Sequence, residues 1–75
     1  AHAMARFKPK RITYKRCTFT LKRKPSTDEF VVQTFVSGKL VGGKDGGYFT
    51  DDLPDARATL ALTIKRARRE GRCGR

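Results

Sequence analysis

The sequence predicts an α+β fold in which a three-stranded antiparallel sheet, a meander, is packed by one C-terminal helix in the order β-β-β-α. Three observations predict it: a helical apolar period near the C-terminus, runs of alternating apolar and polar residues before it, and turn-forming residues between those runs. A helix with one narrow apolar stripe cannot fold alone, so we expect the strands to supply the matching apolar face.

The first strand is predicted over Arg11 to Lys22, which is rich in β-branched and aromatic residues. Successive side chains of a strand point to opposite faces of its sheet. We expect Cys17, Phe19 and Leu21 to face the helix. The opposite face is then predicted to carry cations, hydroxyl groups and one aromatic ring, from Tyr14, Arg16, Thr18, Thr20 and Lys22.

The second strand is predicted over Glu29 to Ser37, after a turn at Arg23 to Asp28. Its alternation predicts one face that packs under the helix, made of Phe30, Val32 and Val36. The other face is made of Val31, Gln33 and Phe35, which places the Phe35 ring on the side of Tyr14 and Arg16. A register slip of one residue is the alternative, and it would exchange the two faces of both strands.

The third strand is predicted over Lys39 to Thr50, after a tight hairpin at Ser37-Gly38-Lys39. It is interrupted at residues 42–47, whose sequence is GGKDGG. Four glycines around a Lys-Asp pair favour a bulge or a loose loop over a regular strand.

The helix is predicted over Asp52 to Arg69. Asp52 and Asp55 stand in the spacing of a capping box, Pro54 lies in the first turn, and Gly71 is placed to end the helix. Five apolar residues form a band roughly 80° wide at helical spacing: Leu53, Ala56, Leu60, Ile64 and Ala67. Four cations crowd the last turns, where they meet the negative end of the helix dipole: Lys65, Arg66, Arg68 and Arg69.

The 75 residues are enough for one small domain, predicted at 11–71. A basic arm precedes it at 4–10, and a basic tail follows at 72–75. We expect residues 1–3 to be a cloning remnant and Met4 to be the natural start.

Cys17 and Cys73 have neither the number nor the spacing of a disulfide framework or a zinc site. A reducing cytoplasm is therefore the expected location. No apolar run approaches the ~18 residues of a membrane span, and no signal peptide is visible.

The sequence offers little for an enzyme, and we expect none. The one histidine, His2, lies in the expected remnant, so histidine acid–base chemistry has no candidate. Asp51, Asp52 and Asp55 are interpreted as helix-start groups. The glycines of 42–47 lack the Gly-Lys-Ser/Thr ending of a phosphate-binding loop. We expect no metal and no cofactor.

The charge balance is the strongest functional signal. Eighteen Lys and Arg residues oppose seven Asp and Glu residues, giving a net charge of +11. Such an excess favours binding to nucleic acid, or to an acidic surface on a protein or membrane. The expected partner is DNA or RNA, or an acidic protein surface of a nucleoprotein complex, and not a membrane. The alternative is that the charge only keeps a small protein soluble.

The predicted nucleic-acid contacts combine cations with aromatic rings. Eight cations of the arm, the first strand and the turn after it are expected to form one patch that contacts phosphates: Arg6, Lys8, Lys10, Arg11, Arg16, Lys22, Arg23 and Lys24. Tyr14 and Phe35 are expected to stack on bases or fill a groove. Ordinary cross-strand packing is the alternative for the two rings. The arm itself is expected to be disordered when free and ordered along a polyanion when bound.

Leu62 lies roughly opposite the apolar stripe of the helix, beside Ala58 and near Arg66 and Arg69. A single exposed leucine needs no explanation. The alternative is a homodimer or partner contact made by these residues.

The β-β-β-α order from Tyr14 to Arg69, with the junction GYFTDDLPDARATLALTIKRA at residues 47–67, resembles two groups of DNA-binding domains. These are the plant ethylene-response-factor type and the arm-binding domains of phage-type integrases. The resemblance implies a sheet that meets DNA while the helix backs it. This sequence departs from them in having no tryptophan on its strands.

A second, shorter resemblance concerns VSGKLVGGKD at residues 36–45, which is similar to a hairpin of a small phage anti-CRISPR protein. The leading hypothesis is a small basic nucleic-acid-binding module of phage or mobile-element origin. The alternative that this second resemblance implies is a phage-encoded inhibitor that binds a host nucleoprotein complex in the host cytoplasm.

Overall fold

The predicted α+β class is confirmed by the structure, a computed structural model that describes residues 7–43 and 46–74. An antiparallel sheet packs against one C-terminal helix. In chain order the elements are β1 (Lys10–Tyr14), β2 (Cys17–Lys24), β3 (Glu29–Val36), β4 (Lys39–Leu40), β5 (Tyr48–Thr50) and α1 (Leu53–Glu70).

The sheet is organised around β3, which pairs with three other strands. β2 lies between β1 and β3, while β4 and β5 both pair with the remaining edge of β3. β4 meets one end of it, where Leu40 pairs with Phe35, and β5 meets the other, where Phe49 pairs with Val31. The third strand predicted over Lys39 to Thr50 is therefore wrong as a single element, because the segment pairs as two short strands that flank the predicted interruption.

β4 ends at Leu40 and β5 begins at Tyr48, so the described residues 42–43 and 46–47 of the glycine-rich segment lie between the two strands, as predicted. Its residues Lys44 and Asp45 lie outside the described ranges. The backbone of Gly46 passes so close to the carbonyl of Val41 that a side chain at position 46 has no room. The observed backbone therefore requires glycine at position 46.

The prediction of one first strand over Arg11 to Lys22 is also wrong. The segment is a hairpin, in which Tyr14 pairs with Cys17 across a turn formed by Lys15 and Arg16. Lys15 takes a positive φ of 55° there, a conformation that usually selects glycine or asparagine. The turn restarts the alternation of side chains, so Tyr14 and Cys17 share a face of the sheet.

The core lies between α1 and the helix-facing side of β2 and β3, as predicted. The expected inward residues of β2 are fully buried, and Phe30 and Val32 of β3 are buried with them. Val36 is partly buried against this cluster. The helix contributes the predicted stripe, with Ala56, Leu60 and Ala67 buried and Leu53 and Ile64 partly buried.

The start of α1 differs from the predicted capping box. Asp52 is the N-cap residue, but its side chain makes no capping hydrogen bond. The carboxylate of Asp55 instead accepts a hydrogen bond from the Tyr48 hydroxyl at 2.7 Å. The backbone N–H of Asp52 donates to Thr50 Oγ1 at 3.2 Å. Side chains of β5 thus help to position the first turn.

The helix ends as predicted at Gly71, which has a φ of 71°. The N–H of Gly71 donates to the carbonyl of Arg68 at 3.4 Å, and that of Arg72 donates to the carbonyl of Ala67 at 3.1 Å. This pair of bonds is the Schellman arrangement, which reverses the chain direction. The residues after the helix are thereby turned back toward the sheet.

The reversed tail forms a disulfide, so the expectation that the two cysteines are not paired is wrong. Cys73 is bonded to Cys17 at the start of β2, with a Cα–Cα distance of 5.1 Å and a separation of 56 residues. Both are buried, and the N–H of Arg16 donates to the carbonyl of Cys73 at 3.2 Å. Disulfides persist mainly in oxidising compartments. The cysteines therefore give no support to a reducing cytoplasm.

Candidate nucleic-acid interface

The sheet has a face that points away from α1, here called the open face. Cross-strand partners in an antiparallel sheet share a face, and positions alternate along each strand. The observed register therefore assigns to the open face Arg11, Thr13, Thr18, Thr20, Lys22, Lys24, Glu29, Val31, Gln33, Phe35, Leu40 and Phe49.

Three cations of the open face are exposed: Arg11 on β1, and Lys22 and Lys24 on β2. None of the three forms an ion pair with another residue in the described ranges. Glu29 pairs with Lys24 across the strands and is the one carboxylate that the register places on this face. The balance leaves a cationic surface whose charges are available to an anionic partner.

A groove of about 460 Å³ crosses the open face between β1 and β3. Its floor carries Thr18 and Thr20 from β2, the strand between β1 and β3. Thr20 is only 6% exposed, and its hydroxyl has no hydrogen-bond partner among the described residues. The remaining lining comes from both sides of the floor and from the segment before β1: Pro9, Lys10, Arg11, Lys22, Phe35 and Gly38.

Four of the predicted contact residues lie together on the open face, namely Arg11, Lys22, Lys24 and Phe35. Sequence reasoning missed a fifth residue, Phe49, which is 41% exposed. The Lys24 ammonium lies 5.4 Å from the centre of its ring. Reading residues 39–50 as one strand hid the separate pairing of β5 that places this ring beside Val31.

The prediction that Tyr14 shares the face of Phe35 is wrong. Tyr14 pairs with Cys17 and lies on the helix side, where the Arg68 guanidinium is 5.0 Å from its ring centre. The physical reason is the two-residue turn after it, which restarts the alternation. Tyr14 therefore packs against the end of α1 and is removed from the candidate interface.

Three of the predicted cations are also elsewhere. Arg16 occupies the β1–β2 turn, with its side chain beside Gly74. Arg23 pairs with Phe30 on the helix side of the sheet and forms an ion pair with Asp28. The two belong to different ends of β2, so the single patch expected from the sequence is divided. Lys10 pairs with Leu21, which assigns it to the helix side of the outer strand, although it also lines the edge of the groove.

The N-terminal arm is partly attached to the core. The ring of Phe7 lies 5.1 Å from that of Phe30, at an interplanar angle of 56°. Lys8 is exposed, whereas Arg6 lies outside the described residues. The expectation that the arm is disordered when free is therefore wrong at Phe7 and Lys10, because Phe7 packs against Phe30 and Lys10 belongs to β1.

The residues proposed for a partner or dimer contact are on the outer side of α1. Ala58, Leu62, Arg66 and Arg69 are all exposed, and Leu62 is 48% exposed. The expected orientation of Leu62 away from the core is thus confirmed. The contact itself stays a prediction.

The two tyrosines have oppositely shifted pKa values. The pKa of Tyr14 is lowered, chiefly because the Lys15 side chain can donate a hydrogen bond to the phenolate, and Arg68 adds to the effect. The pKa of Tyr48 is raised because its hydroxyl donates to the Asp55 carboxylate, whose charge also opposes a phenolate.

We therefore expect a spectrophotometric titration to show two phenol ionisations, on either side of the ordinary value of about 10. Tyr14→Phe should remove the step at lower pH, and Tyr48→Phe the step at higher pH. Assignment of the steps in the reverse order would contradict the described contacts.

Neither a membrane-crossing helix nor a metal-binding cluster appears in the described part of the chain. α1, the helix described, is not apolar enough to span a bilayer. No group of three or more His, Cys, Asp or Glu residues converges among residues 7–43 and 46–74.

Comparison of the chain with protein-family models, with curated proteins and with solved structures found no significant match.

Proposed function

We propose that this protein is a small, non-enzymatic nucleic-acid-binding module that contacts phosphates through the open face of its sheet. The observation that supports the proposal is the presence of three exposed cations and two aromatic rings on one side of the sheet. The cations are Arg11, Lys22 and Lys24, and the rings are Phe35 and Phe49. Phosphate contacts supply most of the affinity of such modules, while rings add contact with bases.

The open-face cations lie at spacings that suit a polyanion. Lys22 and Lys24 are two residues apart on β2, which corresponds to roughly 7 Å. Arg11 pairs with Thr20 on the neighbouring strand. The three charges therefore run from the middle of β2 to its end, and a bound backbone can contact more than one of them at once.

The salt dependence of binding tests the proposal. Each phosphate contact contributes a slope of about −0.9 to a plot of log K against log salt for duplex DNA, and about −0.7 for a single strand. Contacts with five to seven phosphates would give a slope of roughly −5 to −6 for duplex DNA and roughly −3.5 to −5 for a single strand. Replacing Arg11, Lys22 and Lys24 together by Gln removes three contacts and should reduce the slope by about 2 to 3. Fluorescence anisotropy with a labelled oligonucleotide measures it.

A matched control distinguishes binding by the open face from an effect of the total charge. Arg57→Gln, Lys65→Gln and Arg69→Gln remove the same charge from the exposed side of α1. We expect the control to retain most of the salt slope. An equal loss in the control would show that the charge acts without a defined face. Absence of any salt-dependent binding by the wild-type protein would contradict the proposal.

A second candidate function is favoured by the outer side of α1, where exposed Leu62 and Ala58 lie beside Arg66 and Arg69. An apolar centre ringed by cations suits an acidic protein surface, as expected for a phage-encoded inhibitor of a host nucleoprotein complex. Pull-down from lysate with and without nuclease distinguishes the two. Loss of every partner after nuclease supports nucleic-acid binding, and retention of one supports the inhibitor.

Both functions are proposed for the cytoplasm of a host cell. The disulfide would have to survive there against cellular thiols. Exchange requires a thiolate to reach one of the sulfurs. Cys17 and Cys73 are both buried, which opposes that attack.

A further inference from the structure

The groove of the open face is formed by a difference in side-chain size between neighbouring strands. Thr18 and Thr20 both lie on β2. Thr18 pairs with Phe35 on one side, and Thr20 pairs with Arg11 on the other. Two small residues thus lie between an aromatic ring and a long cation. The depression between them follows directly from the register.

The lining of the groove combines apolar contact with a few polar groups, as in sites that bind small planar ligands. The ring of Phe35 and the methyl groups of the threonines supply the apolar surface. The hydroxyl of Thr20 is unpartnered within the described chain, and Arg11 and Lys22 supply the charge. The volume of about 460 Å³ falls within the range of about 300–1,000 Å³ of small-molecule sites.

A nucleic-acid duplex does not present a free ring to such a groove, because its bases are paired and stacked. Bases become available for stacking on aromatic side chains in single strands, loops and ends. Phe35 therefore favours an unpaired base. The two cations of the groove, Arg11 and Lys22, are placed to contact the phosphates on either side of it.

A second ring extends the same path. Phe49 pairs with Val31, four residues before Phe35 on β3, which corresponds to roughly 13 Å along the strand. Lys22 pairs with the same Val31, and Lys24 lies against the Phe49 ring. Arg11 thus lies between the levels of the two rings, with Lys22 level with Phe49 and Lys24 beyond it. Rings and cations placed together in this way suit a strand with separated bases.

We infer that the open face binds single-stranded nucleic acid in preference to duplex, with one unstacked base on Phe35 in the groove. This inference rests on the proposed function and specifies which form of nucleic acid the protein binds. A second base lies on Phe49, while Arg11, Lys22 and Lys24 contact phosphates between and beside the two bases.

The test compares a labelled single strand of about 16 nucleotides with the duplex of the same sequence. The wild-type protein should bind the single strand more tightly. Phe35→Leu keeps an apolar side chain but removes the ring, and should weaken single-strand binding by about 5- to 150-fold with an unchanged salt slope. Phe35→Tyr keeps the ring and should retain the affinity. Phe49→Leu should give a loss of the same kind.

Tyr48→Leu is the matched control, because its ring is next to Phe49 in the chain but faces the helix side, where it contacts Asp55. It should leave single-strand binding unchanged. Circular dichroism verifies that each variant is folded. If Phe35→Leu does not fold, the inference is tested with Phe49→Leu instead. Duplex binding as tight as single-strand binding, or full affinity in the folded ring variants, would overturn this inference and leave the salt-dependent proposal standing. Binding of neither polymer would overturn both.

Discussion

Removing the Cys17–Cys73 disulfide is expected to lower the free energy of unfolding by about 4 kcal/mol. The bridge joins residues 56 positions apart, so it closes most of the described chain into one loop. Closing a loop of this length restricts the unfolded chain by about that amount in the chain-entropy description. The core of a domain this small supplies only ~3–5 kcal/mol. The bridge should therefore provide about half of the total stability.

Urea unfolding followed by circular dichroism, with and without reductant, measures this effect. The variant Cys17→Ala/Cys73→Ala is the control, because reductant should not change it and its midpoint should lie close to that of the reduced wild type. A wild-type protein whose thiols are shown to be fully reduced, yet whose midpoint is unchanged, would contradict the prediction.

Leu60→Ala is the second substitution with a large expected effect, a loss of about 2–5 kcal/mol of unfolding free energy. Leu60 is 5% exposed and lies in the buried cluster with Phe19 and Ala56. Truncation removes its apolar contacts and leaves a cavity that the sheet and helix cannot fully close. The midpoint of urea unfolding should fall without a change in its slope.

The same substitution two residues later is its control. Leu62 is 48% exposed, so Leu62→Ala should change the unfolding free energy by no more than about 0.5 kcal/mol. Equal losses in the two variants would contradict the described orientation of α1. A loss at Leu62 that grows with protein concentration would instead reveal the predicted homodimer contact.

The elements with strong periodicity could be predicted from the sequence. The stripe of α1 identified Ala56, Leu60 and Ala67 as buried, and alternation identified the inward face of β2 and β3. The positive φ values of Gly38 and Gly71 occur at the expected turn and helix end. These features follow from local patterns, which is why they needed no knowledge of tertiary contacts.

The features that sequence reasoning missed depend on contacts between distant residues or on atypical turns. The turn at Lys15 and Arg16 carries no glycine, asparagine or proline, so nothing local announced it. The bridge depends on the chain reversal after Gly71, which brings Cys73 to the start of β2. Two cysteines alone could not indicate that geometry.

The candidate site could be predicted from the sequence only where the side chains of each strand were assigned to the correct face of the sheet. Lys22 and Phe35 follow from the alternation of β2 and β3, and both lie on the open face. Tyr14 lies before the unrecognised turn, so its predicted face was inverted. Phe49 required knowledge that β5 pairs separately with β3. The missed turn thus accounts for the wrong face assigned to Tyr14, and the division of the third strand accounts for the omission of Phe49.

The position of Cys73 in the core also bears on biosynthesis. α1 and Cys73 follow the five strands in the chain and are translated after them. The sheet therefore leaves the ribosome before α1 can cover its apolar face. Until position 73 has left the exit tunnel, cross-linking to Cys17 is impossible, and the uncovered apolar surface makes the chain prone to aggregation. Stalled translation upstream of that codon would yield an aggregation-prone fragment.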